Sequence, residues 1–146
     1  MAERTDVRPT GRQSVGLIKD IMVTLDSAYV DDGLLERAQN GVSGWSTAEI
    51  LRARAKTLLA TDCPVNAATA ETVLLKALNV ARTQGALAWE LRSATSLAQL
   101  WQRQGRHQQA HELLAPVYQR FTEGFATPDL MTVRWLLDEL QGHLPA

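Results

Sequence analysis

Apolar residues recur at three- and four-residue intervals along most of the chain, the spacing that gathers them on one face of an α-helix. Over residues 14–30 the stripe is Leu17, Ile18, Ile21, Met22, Leu25, Ala28 and Tyr29, which predicts a first helix. Asp31-Asp32-Gly33 interrupts it, and Leu34, Leu35 and Ala38 fit a short second helix before the turn formers Asn40-Gly41-Val42-Ser43-Gly44. Ser46 and Glu49 then have the capping-box spacing, in which hydroxyl and carboxylate satisfy each other's free backbone amides. A helix is expected there with Ile50, Leu51, Ala55, Leu58 and Leu59 on its apolar side. It should end at Cys63-Pro64, because proline disfavours helical backbone in the residue before it.

Residues 67–83 resume the period through Ala70, Val73, Leu74, Ala77, Leu78 and Ala81, closed by Gly85. Leu87, Leu91, Ala94, Leu97, Ala98 and Trp101 carry the next helix to Gly105. Ala110, Leu113, Leu114, Val117 and Tyr118 carry another, in which Pro116 should force a bend near Leu113. Thr127-Pro128 supplies an N-cap with proline at the first helical position, and Leu130, Val133, Trp135, Leu136, Leu137 and Leu140 lead to Gly142. The expected fold is all-α: an antiparallel helix-hairpin array with a C-terminal capping helix. Its parts are a flexible arm over residues 1–13, a single domain over 14–142 and a frayed tail over 143–146.

The composition agrees with helix and narrows the function. Leucine and alanine dominate, while β-branched and aromatic residues are sparse and do not alternate. At 146 residues the chain has the size of one self-sufficient domain. Fifteen Lys+Arg against 16 Asp+Glu give a net charge of −1, too balanced to concentrate nucleic acid. No apolar run approaches a bilayer span, so no membrane association is expected. The one cysteine suits a reducing compartment, which makes a cytoplasmic location the expectation.

The helix pairs also resemble each other. Ala70, Leu74 and Ala77 match Ala110, Leu114 and Val117, and Leu51, Ala55 and Leu58 match Ala94, Ala98 and Trp101. Small residues let two helices of a hairpin approach while bulky ones fill the gap, the packing logic of tetratricopeptide repeats. The second pair is similar to that repeat at its usual intervals. The first departs from it, with Arg54 where a leucine is expected and a distance from Ala70 to Ala110 longer than the ~34-residue period.

Over Ala81-Arg82-Thr83-Gln84-Gly85-Ala86-Leu87-Ala88-Trp89-Glu90-Leu91-Arg92, Leu97-Ala98-Gln99-Leu100-Trp101-Gln102-Arg103-Gln104-Gly105-Arg106 and Leu113-Leu114-Ala115-Pro116-Val117-Tyr118 the chain resembles the C-terminal end of large bacterial signalling ATPases. The likeness continues through Phe121-Thr122-Glu123-Gly124-Phe125, Thr127-Pro128-Asp129-Leu130 and Leu136-Leu137-Asp138-Glu139-Leu140, and covers roughly Trp45 to Leu140. In that family, of adenylate or guanylate cyclase and transcriptional-regulator types, a nucleotide-binding domain precedes tetratricopeptide-like helices. The resemblance implies a docking or sensing module acting in signal transduction. The enzymology does not carry over, because no glycine here is followed by lysine and a phosphate loop is therefore absent.

No catalytic constellation emerges, so the chain is not expected to be an enzyme or to need a cofactor or metal. His107 and His111 are four apart but lack a third ligand, and read as exposed on a polar helix face. Cys63 has no base beside it. Glu90, Glu112, Asp138 and Glu139 read as solvated. Trp101 and Trp135 are expected in the core, whereas Trp45 and Trp89 flank helix starts and are open to either role. First helices of such arrays line a concave face, which projects Glu49, Arg52 and Lys56 beside Arg92, Thr95, Gln99 and Arg103. That set suits an acidic peptide or carboxy terminus held by charge-assisted hydrogen bonds. A protein or peptide partner is the leading expectation, and self-association through the uncapped end is a further one. The alternative is a small-molecule-sensing helical bundle that regulates a partner.

Overall fold

In the computed structural model, residues 44–145 are described together with Asp32 and Glu36, two exposed residues in helical backbone. Apart from those two, the arm and both helices expected before residue 40 lie outside the described residues. A 3-10 turn, Gly44–Ser46, leads into α1 (Thr47–Leu59), followed by α2 (Pro64–Thr83), α3 (Leu87–Arg103), α4 (His107–Gln119) and α5 (Pro128–Gly142). Among the described residues there is no strand. No described helix is long and apolar enough to cross a membrane.

Local chemistry fixes the corners. Gly85 and Gly105 have φ of +65° and +75°, left-handed backbone that glycine adopts without strain. At each, two amides return to the helix just ended: Gly85 N to Arg82 O (3.1 Å) and Ala86 N to Ala81 O (2.9 Å), then Gly105 N to Gln102 O (3.0 Å) and Arg106 N to Trp101 O (2.8 Å). These are two Schellman motifs, which satisfy carbonyls a helix end would leave bare. Pro64 opens α2 from an extended Cys63, three residues earlier than the apolar period suggests. A first-turn proline lacks only an amide that has no helical partner there.

Each helix packs on the next, and α1 also touches α3, as α3 touches α5. The contacts use the small residues: Ala55, Ala70, Ala94, Ala98 and Ala110 are fully buried. Leu74 and Leu97 fill the space between α1, α2 and α3, while Leu114, Val133 and Leu140 join α4 to α5. Full burial of each such side chain contributes about 1.5–3 kcal/mol.

Two local expectations fail. Ser46 does stand before α1, but its backbone is already helical (φ −88°, ψ −1°) and it makes no side-chain cap bond. Glu49 turns to Arg52 instead, so the capping box does not form. Helix α4 runs through Pro116 to Gln119, as the apolar period through Val117 and Tyr118 predicts. Pro116 and Glu112, whose carbonyl loses its helical donor, are both exposed, so water can serve that oxygen. Trp135 is 66% exposed and outside the core. It lies about 140° around α5 from the buried Leu130, on the face turned away from α4.

Candidate functional site

Short corners fold α1, α2 and α3 back on one another, so α1 and α3 run side by side in the same sense. Between their C-terminal halves lies a groove of about 450 Å³. Ala55, Leu59, Leu74 and Leu100 form its apolar walls. Its polar lining is Arg52, Lys56, Ser96, Gln99 and Arg103, with no carboxylate among the lining residues. The groove is therefore cationic at its rim and apolar within.

Of the projected binding residues, Arg52, Lys56, Gln99 and Arg103 meet in this groove. Glu49 does not join them: it is buried and accepts hydrogen bonds from Arg52 Nε (2.9 Å) and Nη2. The Glu49 hydrogen bond, reinforced by its charge and that of Asp129, raises the Arg52 pKa above its ordinary value, although burial pulls the other way. Arg52 is thus a fixed, partly neutralised cation. Arg92 reaches Asp129 on α5 at 2.8 Å and covers the Trp89 ring at 5.7 Å. Thr95 donates back to Leu91 O at 2.7 Å. Lys56 and Arg103 are exposed and, among the described residues, belong to no ion pair.

Outside the groove, Glu90 overturns the solvated reading. It is 3% exposed, with Arg82 Nε donating to one carboxylate oxygen (2.9 Å) and Arg120 Nη1 to the other (2.6 Å). The clue was present: Glu90 falls in the stripe of Leu87, Leu91, Ala94 and Leu97, where a charge must find partners. Glu71 performs a similar service, accepting from Trp101 Nε1 (2.8 Å) and Arg106 Nη1 (2.9 Å), with Arg106 stacked 4.6 Å from the centre of the Trp101 ring. These clusters tie helices together, and every polar contact points at another side chain.

His107 and His111 are half-buried, not exposed. His107 stacks on His143, at the end of α5, with ring centres 4.6 Å apart. Among the described residues no three His, Cys, Asp or Glu side chains converge as metal ligands. Cys63 is a half-buried free thiol at the start of α2.

Compared with protein-family models, curated proteins and solved structures, the chain matches none.

Proposed function

We propose that this chain is a non-catalytic, tetratricopeptide-like interaction module whose α1–α3 groove holds an acidic peptide segment. It would serve as the docking or sensing part of a bacterial ATPase-type signalling regulator, as the sequence resemblance implies. The observation that carries the reading is the meeting of Lys56 and Arg103, both without ion partners among the described residues, over the apolar walls of Leu59, Leu74 and Leu100. A carboxylate between them gains two charge-assisted hydrogen bonds while its neighbouring side chain covers the leucines. Repeated small-residue contacts and glycine corners support the array reading.

The test is fluorescence polarisation with a labelled Asp/Glu-rich peptide and a Lys/Arg-rich control. Binding confined to the acidic peptide, weakened by added salt and lost in Lys56→Glu/Arg103→Glu with an unchanged melting temperature, is the expected result. Binding that survives the double substitution overturns the proposal. The groove volume also lies within the range of small-ligand sites, which favours a small organic anion as the second reading. A dicarboxylate that raises the melting temperature while the acidic peptide does not would select it.

A further inference from the structure

The groove is one end of a longer seam between α1 and α3. Trp89 precedes Ser96 on α3 by about two helical turns, and Trp45 stands in the 3-10 turn that leads into α1. The two indoles meet with ring centres 6.1 Å apart and planes inclined at 56°. Trp45 is 47% exposed and Trp89 is half-buried, so indole surface of the pair faces water.

Charge divides the seam. At the tryptophan end the flanking ions of the described residues are paired: Glu49 holds Arg52, and Asp129 holds Arg92. Arg92 also occupies the Trp89 ring as its cation, so a second positive group there would meet repulsion and no free carboxylate. At the far end Lys56 and Arg103 stand without ion partners among the described residues.

We infer that the seam grips one extended peptide at two points, a neutral apolar side chain against the exposed Trp45–Trp89 pair and a carboxylate between Lys56 and Arg103. The inference rests on the reading of the groove as a carboxylate site and adds a second, chemically different subsite with a fixed spacing. The two points lie roughly 16–21 Å apart along the helices, at ~1.5 Å per residue. An extended chain at ~3.3 Å per residue covers that in about five or six residues. The partner is therefore a segment with an apolar residue set that far from an acidic cluster. Engaging both ends should tighten binding about tenfold over the acid alone, the gain expected from burying one such side chain.

Three labelled peptides with glycine-serine spacers test this on the full chain: the triplet Asp-Glu-Asp alone, the triplet with a leucine five residues away, and the triplet with the leucine adjacent. Only the spaced peptide should bind about tenfold tighter than the bare triplet. Trp45→Ala should erase that gain and leave the bare triplet's affinity unchanged. In NMR spectra of the unaltered chain, the indole N–H signals of Trp45 and Trp89 should shift with the spaced peptide and not with the triplet, while Trp101 and Trp135 stay fixed. Equal affinity for all three peptides, with unmoved Trp45 and Trp89 signals, overturns the two-point grip but leaves the carboxylate site standing. No binding by the triplet, or binding indifferent to Lys56→Glu/Arg103→Glu, overturns the carboxylate site and this inference together.

Discussion

Glu90 shows how a charge survives in a helix interface. Both its oxygens accept from guanidinium groups, yet Arg82 and Arg120 remain half in water, with side-chain exposures of 50% and 55%. Solvent screening holds the worth of each pair below that of a fully buried one. The cost of substitution should thus depend on what is left buried. Glu90→Gln keeps a polar amide between two cations and should lower unfolding free energy by about 1–3 kcal/mol. Glu90→Met lets both arginines turn to solvent and should cost less. Urea denaturation of both variants checks the order, and a costlier Met variant would contradict it. The tryptophans divide in the same way. Trp135→Ala should change stability by no more than about 0.5 kcal/mol, because its ring is on the open side of α5. Trp101→Ala should cost about 2–4 kcal/mol, since its ring packs into two clusters and its Nε1 serves Glu71. Periodicity placed both indoles near apolar stripes; only the packing of α5, which buries Leu130, Val133, Leu136 and Leu140 and leaves Trp135 outside, distinguishes them.

At the level of elements, glycine and proline set the boundaries. A Cβ at Gly85 or Gly105 would meet nothing within 4 Å, so alanine there suffers only the left-handed backbone. Gly85→Ala and Gly105→Ala should each lower unfolding free energy by about 1 kcal/mol, read from melting temperatures, with near-additive effects in the double variant. The helix ends were legible because these residues act through local backbone geometry. The capping box at Ser46 was not, because Glu49 had a competing partner three residues on in Arg52, and a charge-assisted pair is the stronger bond. Pro116 is carried inside α4 for a related reason. One lost hydrogen bond on an exposed face is tolerated when Leu114 and Val117 on either side of it are held in the core.

Across the whole described region, the apolar clusters share members: Val73 belongs to two, and Trp101 and Leu113 link the central cluster to the one around α4 and α5. Helices joined in this way should unfold together. Loss of helicity followed by circular dichroism and loss of tryptophan packing followed by fluorescence should coincide in one transition. Leu74→Ala, at the junction of α1, α2 and α3, should shift that transition by about 2–5 kcal/mol without splitting it. Two separated transitions would show instead that the first helix pair is an independent unit.

The sequence alone determined that the described chain is helical, where most helices begin and end, and that Arg52 with Lys56, and Gln99 with Arg103, each share a helix face. Period, proline and glycine act over a few residues, and a few residues are all these features require. Tertiary structure decided which charges are spent on each other. Asp129 on α5 neutralises Arg92 on α3, whereas Lys56 and Arg103 stand over the groove without ion partners among the described residues. Residues far apart in the chain come within 3 Å only when three helices stack, and that distance, which no local pattern encodes, separates a structural charge from one left for a partner.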